Sequence, residues 1–470
     1  MIGIKSTPFY LITIALLIGI SAKTLFSGGM FMDGLWYSVI SRNISIGFGS
    51  FWDLSFSKTV YLHFHEHPPL AFGLQSLFFD LFGESILVER FYSLFTFLIT
   101  GWIIVLIWRR VVIEKFKNLG WLPLLFWVTI PLINWSLSNN LLENTMMIFT
   151  SLSILFMLKS TNKARFLNLL LAGVMIFLGL LTKGPVALFT LSFPFWIYIF
   201  NKDYGFKKFI LDTFILIAAI LFSFGLLFII EPLALDSLIV YFNKQVVTSI
   251  KSVRYVDSRF YIVWNTITNL IPAVIILVLS YVFLKTDKEK SSNNNWSWIF
   301  IALGFSGVIP IMITLKQSSF YILASMPFFS IAIAYLVAPR ALFLYQKIVT
   351  NDHIYKRFKG VVYIVFILSI VVSVVLSNKI DRDEVMISDV RKVIEVVDEN
   401  SVIGLQKELF EVWTLHGYFQ RYAKISLDVN NKFDDVYFLV SKGYESSQLT
   451  NYNKLSMNLE MFDLYMKAKN

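Results

Sequence analysis

The chain has 470 residues, of which 56% are hydrophobic and only 15% are charged. Soluble globular proteins carry about 25% charged residues, so this composition indicates that lipid is the main solvent of the chain. The chain contains no cysteine, which excludes disulfides, zinc–thiolate sites and thiol nucleophiles, and its formal net charge is +10.

Long apolar segments recur along the chain. A membrane-spanning helix needs roughly 17–25 apolar residues, because its backbone groups must be bonded internally. The first segment has no clear cleavage site after it, so we expect it to remain as an anchor. The sequence predicts eleven spans, at 8–26, 87–108, 119–136, 142–158, 166–182, 185–200, 209–230, 261–284, 297–315, 319–338 and 360–378. The predicted fold class is an all-α polytopic membrane protein.

The distribution of Lys and Arg predicts the orientation in the membrane. With the N-terminus in the cytoplasm, the predicted inner segments hold 19 basic residues against 5 acidic ones. The outer segments of the membrane region are longer, yet hold about half as many basic residues. The positive-inside rule therefore favours a cytoplasmic N-terminus. Insertion accounts for the basic excess without nucleic acid, and an odd number of spans places the end of the chain outside.

The first outer segment, roughly 27–86, is too long for a simple connection. Its beginning has the amphipathic pattern of a helix that lies along the membrane surface, with Arg42 on the polar side and Asp33 near the start. A carboxylate at that position is compatible with helix capping and with catalysis, and both interpretations stay open.

Three of the five histidines stand close together further along this segment, at His63, His65 and His67, with Glu66 between them. Pro68 and Pro69 follow, so this stretch is predicted to be extended, with the three imidazoles on one side. Imidazole and carboxylate are both ligands of first-row metals, so a metal site and a hydrated interfacial loop are both compatible with the pattern.

Polar residues also stand at the later outer turns. Outer turns are where the positive-inside rule disfavours cations, although a lone cation there also anchors a helix end. Cations that converge on an outer membrane face would suit a lipid-linked phosphate. The candidates at these turns are Glu143, Lys183, Arg254, Lys316 and Tyr321.

The last segment, 379–470, differs from the rest, with 12 basic and 15 acidic residues. Val385–Val397 has helical periodicity, and 401–405 and 436–440 are typical of short strands. The sequence thus predicts two domains, a transmembrane domain at 1–378, which would carry any catalytic site, and a small extracytoplasmic α/β domain at 379–470. The second domain has no catalytic motif, and we interpret it as a solubilising or acceptor-orienting module.

These motifs resemble the polyprenyl-phosphate-dependent glycosyltransferases of the GT-C fold. The similarity is strongest to glycosyltransferase family 39, which includes protein mannosyltransferases and lipid A aminoarabinose transferases, and runs in motif order over about 5–340. Gly34 stands where the family often has a second acid, and Gln245 where some relatives have a metal-binding His. The matching residues are Asp33, Tyr37, Arg42, Glu66, Pro68, Pro69, Leu70, Arg90, Glu143, Lys183, Lys316, Tyr321 and Pro327, with His67 in place of a common Lys.

The resemblance implies an inverting hexosyl or pentosyl transferase of the bacterial inner membrane. Such an enzyme moves a sugar from polyprenyl phosphate to a hydroxyl or phosphate of a lipid, glycan or protein on the outer face. It implies Asp33 as the general base and Glu66 as a second catalytic carboxylate, with a divalent metal at Glu66 and His65 left open. The implied substrate-binding residues are Tyr37, Arg42, His67, Glu143, Lys183, Arg254, Lys316 and Tyr321.

A transporter or a non-enzymatic scaffold of the cell envelope is the alternative. Transporters generally need polar residues along a path through the membrane. Most ionisable residues here stand at predicted helix ends, and the main exceptions are Glu89, Arg90 and Asp212. The sequence does not identify the sugar or the acceptor.

Overall fold

A computed structural model of the chain describes residues 4–161, 164–248, 254–284, 295–376, 380, 382–430, 436–445 and 449–468. The membrane part is built mainly of helices, with a long loop between the second and the third. Its α-helices, in chain order, are α1 (Thr7–Phe26), α2 (Met32–Ser45), α3 (Leu70–Phe82), α4 (Val88–Val111), α5 (Trp121–Val128), α6 (Pro131–Ser138), α7 (Leu142–Lys159), α8 (Arg165–Lys183), α9 (Phe193–Phe200), α10 (Phe206–Ile230), α11 (Leu233–Tyr241), α12 (Tyr261–Phe283), α13 (Asn295–Val308), α14 (Met326–Thr350) and α15 (Asp352–Leu376).

The chain is a multi-pass membrane protein, as predicted. Among the described residues, eight helical segments are long and apolar enough to cross a membrane, and a ninth results if the bent pair α5–α6 is one span. α10, α12 and α15 bury less than a fifth of their apolar stretch inside the protein, so these helices face lipid.

The predicted number of eleven spans is not confirmed. α5 and α6 meet at an angle of 78°, because Pro131 begins a new helix, and the described apolar part of α1 is only Thr7–Ser21. The stretch predicted as two spans at 166–182 and 185–200 forms one helical run, Arg165–Phe200, that includes a 3-10 segment. Gly184 has a φ of +75° within this run, a backbone conformation that glycine adopts at little cost.

The first outer segment contains two helices, α2 and α3, which pack against each other. The surface helix predicted around Asp33 is therefore present as α2. Both of its sides are covered, however, because every residue from Gly34 to Asn43 is buried. The apolar side packs on α3 and the loop before it, and the polar side lies beneath the C-terminal domain.

The C-terminal part has the predicted α/β character. Two helices, α16 (Glu384–Ile394) and α17 (Trp413–Ala423), pack with a five-stranded sheet of order β2-β1-β3-β5-β4. β1 pairs in parallel with β2 and β3, whereas β5 runs antiparallel to β3 and β4. The strands are β1 (Val402–Leu405), β2 (Ser426–Asp428), β3 (Tyr437–Ser441), β4 (Tyr452–Lys454) and β5 (Phe462–Lys467). The boundary predicted between 378 and 379 lies outside the described residues.

Helix α17 docks the C-terminal domain on α2. A Cβ atom at Gly417 would lie 2.6 Å from the Leu35 side chain, so the two helices approach closely. The indole N–H of Trp36 donates to the carbonyl oxygen of Trp413 at 2.8 Å. The helix that carries Asp33 is thus held by the membrane part on one side and by the C-terminal domain on the other.

Candidate active site

Asp33 is the second residue of α2, and its side chain is half-buried. Asp33 is the acidic residue of the first turn of α2, where it interacts favourably with the helix N-terminus, but no side-chain hydrogen bond caps this end of the helix. The backbone N–H of Phe31, just before the helix, donates a hydrogen bond to the side-chain oxygen of Asn139 at 2.8 Å. Within the described part of the chain, the Asp33 carboxylate receives no hydrogen bond and forms no salt bridge, so both of its oxygens are free to meet a substrate.

The packing around Gly34 accounts for a glycine next to Asp33. A Cβ atom at this position would overlap the carbonyl oxygen of Asn139, a backbone atom that cannot move aside. The close contact between α2 and the turn before α7 therefore requires glycine at position 34. Asp33 is left as the single carboxylate at the start of the helix.

Four charged side chains from distant parts of the chain surround Asp33. They are Lys183, Glu143, Glu66 and Lys316, and each interacts electrostatically with its carboxylate. Burial raises the pKa of Asp33 to about 6; the two lysines lower it, and the two glutamates raise it. The structure thus brings together Asp33, Glu66, Glu143, Lys183 and Lys316, which we call the acidic–basic cluster.

Lys183 and Glu143 form a buried ion pair inside this cluster. Lys183 ends α8, where the chain bends at Gly184, and Glu143 stands in the first turn of α7. The Lys183 ammonium also lies 5.0 Å from the ring centre of Phe320 and 5.2 Å from that of Tyr321. The second carboxylate oxygen of Glu143 is buried without a partner among the described residues. A donor that entered here would satisfy it.

Tyr37 and His67 form a second pair beside Asp33. The Tyr37 hydroxyl and the His67 Nε2 atom lie 3.0 Å apart. Desolvation, with help from Lys183 and Lys316, holds the pKa of His67 well below its usual range, so the ring is neutral at pH 7. His67 therefore contributes a hydrogen-bonding group without a positive charge.

Lys316 provides a positive charge to the cluster. Within the described residues, it forms no salt bridge with a carboxylate. Its ammonium donates to the side-chain oxygen of Gln245 at 2.7 Å and lies 5.9 Å from the ring centre of Tyr255. Burial lowers the pKa of Lys316, while Glu66 and Asp33 raise it. Gln245 thus orients the lysine.

Three of the predicted substrate-binding or motif residues lie away from the cluster. Arg42 is 1% exposed and donates to the Gln420 carbonyl oxygen and the Asn43 side chain, so it joins α2 to the C-terminal domain. Arg254 is exposed and pairs with Asp257. Arg90 donates to the carbonyl oxygens of three residues, Thr24, Gly29 and Ser138.

The predicted metal ligands Glu66 and His65 do not converge. His65 lies 3.4 Å from the Ser237 hydroxyl, whereas Glu66 accepts a hydrogen bond from Tyr61 and interacts with the acidic–basic cluster. Across the described residues, no group of three or more His, Asp or Glu side chains could hold a metal ion. His63 is paired instead with Asp53 at the exposed edge of the loop. The residues present do not fit a divalent metal at this place.

Sequence reasoning missed three aromatic residues of the site. Phe320 and Tyr255 face the ammonium groups of Lys183 and Lys316, and Tyr61 donates to Glu66. Tyr61 has a φ of +50°, a conformation that non-glycine residues rarely adopt and that the surrounding loop must hold in place. No local pattern indicates this conformation, and aromatic residues are so common in this chain that single ones carry no signal.

The fold and the site define a class of protein: a multi-pass membrane protein of the GT-C fold with a charged cluster at the start of α2. Residues 66–228 match the family described as dolichyl-phosphate-mannose-protein mannosyltransferase, so the resemblance to this family is confirmed over that segment. No curated protein sequence matches the chain.

Solved structures confirm the fold. The chain is similar to ArnT from Cupriavidus metallidurans bound to undecaprenyl phosphate, with a TM-score of 0.67, 14% identity and coverage of 97% of both chains. It is also similar to ArnT from the same organism in the apo state, with a TM-score of 0.65, 14% identity and coverage of 97% of this chain and 96% of that chain. The similarity extends over the membrane helices and the C-terminal domain.

Proposed function

We propose that this protein is a glycosyltransferase that takes a sugar from a polyprenyl-phosphate donor and transfers it to a hydroxyl or phosphate acceptor on the outer face of the membrane. The observation that carries the proposal is the unpaired Asp33 carboxylate, surrounded by cations from two distant parts of the chain. The family match at 66–228 and the ArnT fold support the same function.

Asp33 acts as the general base in this proposal. The acceptor oxygen attacks the anomeric carbon of the donor sugar while its proton passes to the Asp33 carboxylate. A general base works best when its pKa lies near the working pH, and the pKa of about 6 brings Asp33 close to neutrality. Attack opposite to the leaving group inverts the anomeric configuration.

Lys183 and Lys316 stabilise the leaving group. The bond between the anomeric carbon and the phosphate oxygen breaks, and the electron pair leaves on the lipid phosphate. Cations fixed in a half-buried site stabilise such developing charge without reorganising. Lys316 carries most of this role, since Glu143 already neutralises Lys183. Tyr37, His67 and Tyr321 contribute hydrogen-bonding and ring surfaces around the same position.

Glu66 is the second carboxylate of the proposed mechanism. It accepts a hydrogen bond from Tyr61 and adds negative charge near Asp33, which raises the pKa of that base. We assign Glu66 to acceptor positioning and to tuning of the base. No step of the mechanism passes through a metal ion, because the donor set does not fit one.

The residues that favoured a transporter have structural partners instead. Asp212 pairs with Arg165 and accepts from the Tyr204 hydroxyl at 2.5 Å. Glu89 pairs with Arg421 of the C-terminal domain at 2.9 Å. These contacts join helices to one another and to the C-terminal domain, so they supply no reason to prefer transport.

A gene deletion tests the proposed function. The deletion strain should lose one sugar modification from its envelope lipids, glycans or proteins when these are profiled by mass spectrometry. Wild-type protein and the Asp53→Asn variant should restore the sugar, whereas Asp33→Asn should not. Asp53 is a suitable control because it is a carboxylate of the same outer segment that pairs with His63 at the exposed edge. An unchanged envelope profile in the deletion strain would contradict the proposal.

A further inference from the structure

A cleft of about 340 Å³ opens between the first outer segment and the C-terminal domain, outside the acidic–basic cluster. Its walls include the aromatic side chains of Tyr61, Phe410 and Trp413. Asp428 and Asn430, at the end of β2 and just after it, form one edge. Its volume lies at the lower end of the roughly 300–1,000 Å³ typical of small-molecule sites.

The aromatic walls of this cleft are held in place from behind. The Trp36 ring stacks on Phe56 at 3.7 Å between centres and meets Trp413 and Tyr61 edge-on at 5.6 and 5.7 Å. Phe410 packs edge-on against Trp413 at 5.1 Å. Rings fixed by such contacts lose little entropy when a ligand binds, which is the property of a prepared binding surface.

The cleft is also connected to the acidic–basic cluster. Tyr61 lines the cleft and donates a hydrogen bond to Glu66, a member of the cluster. Trp36, which supports the cleft, stands three residues after Asp33 on α2 and therefore on the same side of the helix. Tyr61 and Trp36 thus join the walls of the cleft to the acidic–basic cluster.

The chemistry of the walls selects the kind of ligand. The described lining residues of the cleft are aromatic, aliphatic and uncharged polar side chains together with Asp428, and they include no Lys or Arg. Aromatic faces carry negative partial charge and attract the C–H groups of a pyranose ring, while the exposed amide of Asn430 accepts and donates hydrogen bonds to its hydroxyls. Rigid aromatic walls with a polar edge are thus complementary to a neutral saccharide.

We infer that this cleft binds a saccharide portion of the acceptor. The inference rests on the proposed transferase function and narrows its acceptor to a sugar-containing molecule, such as a glycan or the sugar headgroup of a glycolipid. It also assigns the C-terminal domain a function, since Phe410, Trp413, Asp428 and Asn430 all belong to that domain. The domain supplies one wall of the acceptor site, and the loop of the first outer segment after α2 supplies the other.

Direct binding to the full-length protein in lipid nanodiscs tests the inference. The probes are saccharides released by mild acid from the envelope glycans and glycolipids of the producing organism, detected by saturation-transfer NMR. Trp413→Leu keeps an apolar side chain without an aromatic face and should weaken binding roughly fivefold to tenfold. Asn430→Ala removes an exposed edge group that leaves the domain core intact, and should weaken binding about threefold or more.

Trp298→Leu is the matched control, because Trp298 is an exposed tryptophan on α13, away from the cleft. It should bind the saccharides as the wild type does, and all variants should retain binding of polyprenyl phosphate. Three results would overturn the inference. They are wild-type saccharide affinity in both cleft variants, binding of acceptor peptides without binding of any saccharide, and no saccharide binding by the wild type. A wild-type protein that binds saccharide but does not bind polyprenyl phosphate would contradict the proposed function. The saccharide site in the cleft would still be confirmed by that measurement.

Discussion

Arg421 and Glu89 form a buried ion pair that ties the C-terminal domain to the start of helix α4. The two side chains are 1% and 4% exposed, and the guanidinium nitrogen lies 2.9 Å from the carboxylate oxygen. Arg421 also donates to the carbonyl oxygens of Glu84 and Ser85. The domain that covers α2 is therefore anchored at a second point, beyond the helix that carries Asp33.

Breaking this pair should loosen the C-terminal domain. Arg421→Leu leaves Glu89 as a buried charge without its partner, and such changes cost about 3–5 kcal/mol. We expect a lower melting temperature and faster proteolysis within 382–468 in detergent-solubilised protein. Lys117→Ala is the control, because Lys117 pairs with Glu114 at the surface, where ion pairs contribute roughly 0–1 kcal/mol.

The double variant Glu89→Leu/Arg421→Leu refines this prediction. Removing both charges eliminates the uncompensated carboxylate, so much of the stability lost in Arg421→Leu should return. If Arg421→Leu had the same melting temperature and the same rate of proteolysis as Lys117→Ala, the ion pair would not be what holds the domain in place.

The pH dependence of turnover should report the titration of Asp33. The base accepts a proton only when it is ionised, and its pKa is about 6. The value of kcat/KM should therefore rise with pH through about 6 and reach a plateau above pH 7. An acid limb near pH 4, the value of an unperturbed carboxyl, would contradict the assignment.

Two neighbouring variants should move this acid limb in opposite directions. The charge of Lys183 lowers the pKa of Asp33, whereas that of Glu66 raises it. Lys183→Met should consequently shift the limb to higher pH, and Glu66→Gln should shift it to lower pH. Both variants should also reduce the maximal rate. The measurement is therefore the direction in which the acid limb of kcat/KM shifts in the activity that remains. Shifts of the same sign would show that the limb belongs to another group.

Lys316 should control the affinity for the lipid phosphate. Among the described residues, its ammonium donates only to the neutral side-chain oxygen of Gln245, so its charge is available to an anion. Lys316→Met should weaken binding of polyprenyl phosphate by roughly tenfold or more, which corresponds to the 1.5–3 kcal/mol typical of hydrogen bonds to charged groups. Binding can be measured by native mass spectrometry.

Lys244→Met provides the comparison for Lys316→Met. Lys244 is an exposed lysine next to Gln245, so this variant removes the same charge from the neighbouring position. It should change the affinity for polyprenyl phosphate by less than about threefold. Equal losses in the two variants would indicate that general positive charge, and not the oriented Lys316, attracts the lipid.

Reporter fusions should reveal the predicted orientation. Fusions after Lys117 and Lys208 should give a cytoplasmic signal, because both residues belong to basic segments that the positive-inside rule places inside. A fusion after Met466 in β5 should report the outside. The predicted inner segment 285–290 lies outside the described residues. A cytoplasmic signal from the fusion after Met466 would reverse the side on which the acidic–basic cluster is proposed to work.

Several of the predicted site residues lie together because their motifs stand at helix ends, while their catalytic and binding roles stay predictions. The residues concerned stand at or beside helix ends: Asp33, Glu143, Lys183 and Lys316. Helix ends on the same face of a membrane lie at a similar depth, so their side chains can meet. Motif order then selected these residues from other polar ones. Their pairing was not predictable, since the contact of Lys183 with Glu143 depends on how α7 and α8 are rotated.

The sequence failed where the C-terminal domain contacts the membrane part. Arg42 stands on the polar side of α2, which predicts a solvent-facing residue, yet it is buried because α17 covers that side. The contact of Trp36 with Trp413 joins residues 377 positions apart and has no local signal. The number of spans was also uncertain for a local reason, since the helices break at Pro131 and Gly184 within apolar stretches.

Single-turnover kinetics of Asp33→Asn test the central claim most directly. Asparagine has nearly the same size as aspartate and cannot accept the proton of the acceptor at neutral pH. With polyprenyl-phosphate binding and melting temperature unchanged, we expect the rate of sugar transfer to fall by roughly 10²-fold or more. An Asp33→Asn protein with near-normal turnover, beside an inactive Glu66→Gln protein, would contradict the account and assign the base to Glu66.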